Sequence, residues 1–577
     1  MNNLGKTMTA ASLAVLLAAC SSSTAEEGGS AGAEATSSAG TTTSGSTISA
    51  DLPASIDDAM SSLKEAHSVD EVDADSATTL PLDGTSGKED VDGVEVGDGT
   101  VTIAAGGTYR LTGEYSGTVT VAVTDTEKIT IILDGVDISA TDGSALAVTS
   151  GDEVTIGLAD GSENTLTDSE TYSDTSDNAP NATLFSASDL SITGEGTLTV
   201  IGQHNDGISS KDGLVIESGT IEVEAVDDGI RGKDYLVVQG GSMNVTSGGH
   251  ALKADNTDDA TVGYIALLGG TLNIQSDEDG ANAQTILVGP STVNISATDD
   301  GIHADGVLAI DTGELTIAQS YEGLEGTIVA VYGGTVDVTS TDDGINGSTG
   351  DSTDSMNPMA VSEGVEVYIS GGEIHLDAGG DGVDSNGVAD MTGGTLIVEG
   401  PTNSGNGAID VASTFRISGG TLFAGGAAGM AATPSADSAQ GSVSATVNAT
   451  RGQAVAVTST DGEELFSFTV QKATENAVLS VDGMEMGQSY IVTVDGTQVG
   501  TVTAGEGGMN GMGGGQMPGG GGQMPGGGGG QMPGGGQMPS GPGEMQDRPF
   551  PQSPTDEQEE DQSSSSAQSE ETDASTI

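Results

Sequence analysis

Four five-residue segments share the pattern acid or amide, acid, glycine, aliphatic, polar. They are Asn205-Asp206-Gly207-Ile208-Ser209, Asp227-Asp228-Gly229-Ile230-Arg231, Asp299-Asp300-Gly301-Ile302-His303 and Asp342-Asp343-Gly344-Ile345-Asn346. Diverged copies are Gly249 to Lys253, Glu278 to Asn282, Tyr321 to Glu325 and Gly380 to Asp384, and the last polar position steps by 22, 22, 29, 21, 22, 21 and 38 residues. If successive units stack as strands, ~4.8 Å separates the carboxylates at one place of neighbouring units. Such neighbours repel by about 1 kcal/mol in water and by more near a protein surface. A hard cation offsets that repulsion, and carboxylates beside turn carbonyls describe a Ca²⁺ site better than a Zn²⁺ or Fe²⁺ site. The candidate ligands are Asp206, Asp227, Asp228, Asp299, Asp300, Glu322, Asp342, Asp343 and Asp381, joined by Asp255, Asp258 and Asp259 in the densest single run of oxygen ligands. The other reading of these acids is a solvated face that keeps sheet surfaces apart.

Basic residues are few, 13 Lys and Arg in all, yet Lys211, Arg231, Lys233 and Lys253 fall in one short reach. Arg231 and Lys253 hold the same repeat position as Ser209 and His303, which aligns polar groups on one outward face. These five side chains, Lys211, Arg231, Lys233, Lys253 and His303, are the candidates for contact with a carbohydrate. Acids, a bridging Ca²⁺ and a cationic side chain are also what a polysaccharide lyase uses to take a proton beside a carboxylate, with Arg231 as the candidate. Equally, the bases simply neutralise neighbouring acids.

The elements that would position these groups follow from two further columns in step with the first. Alternating pairs recur after a Gly-Gly-Thr-type turn, among them Leu198/Val200, Ile221/Val223, Leu272/Ile274 and Val336/Val338. A third column runs through Leu214/Ile216, Leu236/Val238, Ile265/Leu267 and Leu308/Ile310. Alternation with period two places one face inward, and 21 or 22 residues per unit is the length of one coil of a parallel β-helix. The expected fold is all-β, a right-handed parallel β-helix solenoid over 98–430, with insertions near 254–263 and 347–363 leaving it as loops. Gly207, Gly229, Gly301 and Gly344 are expected to supply a positive φ at a bend.

Composition narrows the partners. Asp and Glu number 87 in 577 residues for a formal net charge of -74, and aromatic residues are 3% with no Trp. A surface that negative repels phosphate backbones and anionic headgroups, so nucleic acid and electrostatic membrane docking are excluded as partners. At the start, Lys6 precedes the apolar run Met8 to Ala19, which ends at Cys20, the single cysteine. This pattern resembles a bacterial lipoprotein signal over 1–20, with lipid on Cys20 tethering an extracytoplasmic protein to the membrane or cell surface. A Ser/Thr/Gly/Ala-rich flexible stalk is expected over 21–97, with a short helix near 57–66. After the solenoid, Val455/Val457, Phe466/Phe468 and Ile491/Val494 with Asp461-Gly462 and Asp495-Gly496 turns mark a small β module over 441–504. A disordered Gly/Met/Pro-rich and acidic tail is expected over 505–577. Its methionines are a candidate for Cu(I) as well as for a plain spacer.

Several segments together carry a resemblance to a known family. Asp134 to Ile138, Glu163 to Asp168, Asn205 to Ile208, Asp227 to Asp234, Tyr321 to Gly326 and Gly405 to Ala408 resemble the bacterial surface proteins of the carbohydrate-binding domain-containing family. The resemblance implies a pectate-lyase-like right-handed parallel β-helix with calcium that binds plant polysaccharides such as cellulose or polygalacturonate without cleaving them. With Trp absent and nine Tyr, an aromatic stacking platform is poorly supported, which favours acidic glycans held through Ca²⁺ and polar contacts. The expectation is a non-catalytic, cell-surface carbohydrate-binding protein. A calcium-dependent pectate-type lyase and a structural or adhesive surface protein are the alternatives.

Overall fold

The computed structural model describes residues 52–83, 91–97, 99–124, 126–176, 178–349 and 361–505. Cys20, the signal segment and the tail beyond 505 lie outside these residues, as does most of the second insertion.

The three apolar columns form three ladders of parallel strands. In the first, Ile208 pairs with Ile230, then Leu252, Ala281, Ile302, Leu324, Ile345, Val383 and Ile409. In the second, Leu214 is followed by Leu236, Ile265, Ile286, Leu308, Val329, Val367, Ala389 and Phe415. In the third, Leu198 leads through Ile221, Met243, Leu272, Val293, Leu315, Val336, Ile374 and Leu396 to Leu422. All of these side chains are buried in one continuous core. Alternation therefore does what period two requires: one side chain fills the interior, and the next stands on an outer face. The insertion after Ala254 separates the first ladder from the second within one unit and leaves the register of both intact.

Parallel pairing starts before residue 98. Thr78–Pro81 pairs with Tyr109 to Thr112, and Thr100–Ile103 pairs with Thr118 to Val121. Both ends of the sheet turn antiparallel, so the sheet is mixed. Val94–Gly97 folds back on Thr100–Ile103, and Thr474–Ser480 lies antiparallel to both Thr421–Gly426 and Ser442–Ala449. The last parallel strand thus has its free edge paired, which removes a template for further strand addition. The remaining strands of the C-terminal module form a separate four-stranded antiparallel sheet. Its hairpin at Asp495-Gly496 has positive φ at both residues, 48° and 71°, as a two-residue turn of this hand demands.

Two expectations need correction. Gly207, Gly229, Gly301 and Gly344 do not have positive φ; that role falls to the Gly-Gly turns before the third ladder, at Gly241, Gly270, Gly334 and Gly372. Gly301 is required for space, because a β-carbon there would stand 2.6 Å from Ile317 Cδ1 and 2.7 Å from the Gly323 carbonyl oxygen on the next unit. The second correction concerns the stalk: residues 52–83 are packed on the body. A helix, shorter than expected, spans Ile56–Ser61, with Ser55 accepting from the Asp58 N–H at its start. Ile56 and Ala59 are buried in one cluster with outward residues of the second ladder, among them Val237, Leu287, Ala309 and Ile328. Tyr264 donates to the Lys64 carbonyl at 2.8 Å, and Lys64 Nζ lies 2.6 Å from Asp234 and 3.2 Å from Asp212.

Candidate functional site

Each outer face has its own character. The second is covered by residues 52–69, and the third is polar and open until Ile397 and Phe423, which pack under the C-terminal module. The first carries the repeat's polar position, and the structure brings Ser209, Arg231, Lys253, Asn282, His303, Glu325, Asn346, Asp384 and Asp410 into one column. Charge changes sign along it, basic at Arg231 and Lys253, acidic from Glu325 onward.

Beside this column runs the residue that precedes each glycine. Here the carboxylates meet backbone as well as each other. Asp228 Oδ1 accepts from the His250 N–H at 3.1 Å, Asp279 from Asp300 at 3.0 Å, Asp300 from Glu322 at 3.1 Å and Asp343 from Asp381 at 2.6 Å. Asp381 accepts from the Gly407 N–H in the same way. Each acid therefore satisfies a donor on the following unit that a shorter or apolar residue would leave unpaired, which gives the repeated acid a structural reason.

Internal cations neutralise part of this column. Lys253 Nζ is 2.9 Å from Asp228, and His250 Nδ1 is 3.2 Å from Asp279. His303 Nδ1 lies 2.7 Å from Glu325 and 3.2 Å from Asp300, and with Asp305 these hydrogen bonds push its pKa up to about 12, so the imidazole is a cation. At Asp206, where Arg231 offsets only part of the effect, and in the C-terminal half, burial and neighbouring acids prevail. Burial, then Asp228, raises Asp206 to about 7. Burial raises Glu322 to about 8 and Asp343 to about 7, and burial together with Asp343, Asp381 and Asp410 raises Asp384 to about 8.

Among the described residues, three groups bring acid or imidazole ligand atoms within 4.8 Å of one another: Asp206/Asp227/Asp228, Asp279/Asp299/Asp300 and Asp300/His303/Glu325. None contains Asp255, Asp258 or Asp259. Asp255 instead holds Arg231 through both carboxylate oxygens at 2.8 Å, while Asp259 accepts from a backbone N–H in its own turn and Asp258 donates its own N–H to Asn256. Arg231 is thus engaged rather than free. Lys211 lies over the Phe185 ring, 5.9 Å from its centre. Lys233 stands on the strand connection, with its N–H donated to the Ser210 carbonyl, and Asp342 has its own N–H bonded to the Tyr321 carbonyl. Asp279, Glu325, Asn346, Asp384 and Asp410 belong to the site as well. Four of the five occupy aligned repeat places, so the period itself points to them; their burial is what a sequence does not display.

Two buried amide oxygens test whether a cation fits. Asn181 donates through Nδ2 to Asp206 at 3.0 Å, and Asn346 donates to Glu322 at 2.7 Å. The acid fixes each amide's orientation, leaving Asn181 Oδ1 and Asn346 Oδ1 buried without a donor. An acceptor of this kind next to carboxylates is a hard cation's oxygen set.

Comparison with known proteins gives a consistent result. A family described as carbohydrate-binding domain-containing protein matches residues 97–344 and 286–530. A carbohydrate-binding domain-containing protein of Acetivibrio thermocellus is 34% identical over 229 residues, 39% of this chain and 80% of the relative. A solved structure described as a polysaccharide lyase-like protein from C. thermocellum, a gadolinium derivative, is 32% identical, covers 40% of this chain and 95% of its own, and superposes with a TM-score of 0.38.

Proposed function

Since the chain belongs to the carbohydrate-binding domain-containing protein family, we propose that it binds polysaccharide, without turning it over, on the outer faces of a calcium-stabilised right-handed parallel β-helix. The family match, extending through every ladder, is the observation that carries carbohydrate binding. The engagement of Arg231 by Asp255 supports a binding role over a lyase role, because a base or electrostatic anchor for proton abstraction needs an accessible head group. Calcium is supported by the raised carboxylates around Asp343 and Asp384 and by the donorless oxygens of Asn181 and Asn346. Asp206, Asp227 and Asp228 with Asn181 would hold one ion, and Glu322 with Asn346 a second. Lipidation at Cys20 would hold the protein outside the cytoplasmic membrane.

The test incubates the purified protein with polygalacturonate and with cellulose, with Ca²⁺ or chelator, following retention and unsaturated-product absorbance together. Retention lowered by chelator with flat absorbance supports the proposal. Growth of absorbance that Arg231→Ala abolishes makes the protein a lyase.

A further inference from the structure

The third ladder carries an uncharged patch on an otherwise strongly acidic protein. Its strands Ser242–Ser247, Thr271–Ser276 and Thr292–Ala297 pair in register and turn outward Ser242, Asn244 and Thr246, then Thr271, Asn273 and Gln275, then Thr292, Asn294 and Ser296. All nine side chains are uncharged, in a chain with 87 acids. Six are exposed and the other three half-buried, and the flanking strands restore charge at Glu222, Glu224 and Glu314. With ~4.8 Å between strands and ~6.7 Å between alternate residues, the array measures roughly 10 by 13 Å and is flat as a sheet is flat.

Its middle row is wired. Asn273 Nδ2 donates to Asn244 Oδ1 at 2.9 Å, and Asn294 Nδ2 donates to Asn273 Oδ1 at 3.0 Å. Each amide in the row spends one N–H or one lone pair per neighbour, and each keeps an N–H and an acceptor lone pair that the row does not use. An N–H beside a carbonyl oxygen matches a pair of adjacent hydroxyls, one accepting and one donating. A carboxylate matches only the N–H, is repelled by the amide oxygen and faces the three acids at the border.

We propose that this three-by-three array is the surface on which the protein binds glycan, and that it takes a neutral, hydroxyl-rich polysaccharide rather than an acidic one. The inference rests on the carbohydrate-binding reading and reverses the acidic preference expected from composition. The first-ladder column is then structural, its cations spent on its own carboxylates.

The experiment compares the full chain with Asn273→Asp and with the second variant Thr246→Lys, using microcrystalline cellulose and polygalacturonate as probes and a melting curve as the check on folding. Wild type retained on cellulose, with retention falling at least about tenfold in both variants at unchanged melting temperature, supports the proposal. Cellulose retention that survives both substitutions overturns it, as does wild-type retention on polygalacturonate alone, and both results leave carbohydrate binding standing. Wild type retained on neither probe removes the carbohydrate-binding reading and the array with it.

Discussion

Asp384 offers the sharpest test of the acidic column. Burial and the neighbouring Asp343, Asp381 and Asp410 raise it from 3.8 to about 8. One pKa unit is about 1.4 kcal/mol, so holding Asp384 ionised in the folded chain costs at most about 6 kcal/mol. Water on the outward face screens part of this, leaving roughly 2 kcal/mol. Between pH 4 and pH 8 the folded protein binds a proton that the unfolded chain has released, so stability falls as pH rises through this window and is lowest above it. In chelator at pH 8.5, Asp384→Asn is therefore expected to raise the melting temperature by roughly 2–3 °C for a folded body of this size. At pH 4 the gain largely vanishes, because the folded carboxyl is then neutral and the unfolded one is only partly ionised. Calcium should also stabilise the wild type more than the variant. Thermal melts at the two pH values, each with chelator and with Ca²⁺, give the four comparisons. A lower melting temperature for the variant at pH 8.5, or a gain that persists at pH 4, refutes the reasoning.

Three other substitutions probe separate features. Gly301→Ala forces a methyl against the Gly323 carbonyl and Ile317, and should destabilise by about 2 kcal/mol in urea unfolding. Lys253→Met leaves the buried Asp228 without its cation and should cost about 3 kcal/mol in urea unfolding. Ile56→Asp places a charge in the buried cluster on the outer face of the second ladder, so residues 52–69 should lift off; hydrogen exchange should then rise at Ala59, whose N–H bonds to the Ser55 carbonyl, while the ladders stay protected.

The ladders were legible because a stacked unit repeats its own chemistry. Leu198/Val200 and eight further pairs of the same kind define one inward face without reference to any distant residue. The partners of Ile56 are different. The ladder members of its cluster run from Val215 to Ala330, far away in the chain, on the outward positions of strands whose inward positions already account for a core. The apolar spacing predicts a short helix near 57–66, but nothing local says which surface it covers, and the Ser and Asp content reads as a linker. Gly301 shows a related limit, since the sequence reveals that glycine recurs but not whether torsion or the neighbouring coil's carbonyl demands it. In the acidic column, the types and the period were visible. The pairing of Arg231 with Asp255 was not, because Asp255 lies in an insertion that breaks the period. The neutral array was hidden for an opposite reason: attention to a charge of -74 draws the eye to acids, whereas the nine positions matter for lacking them.

The hydrogen bonds from each turn carboxylate to the next unit's N–H all point one way along the axis. A unit already in place thus presents an acceptor to its successor in chain order and a donor to its predecessor. The same polarity sets a rule for lengthening the protein. A whole 21- or 22-residue unit inserted between Asp343 and Asp381 inherits a foothold and hands one on, whereas half a unit severs the line for everything downstream.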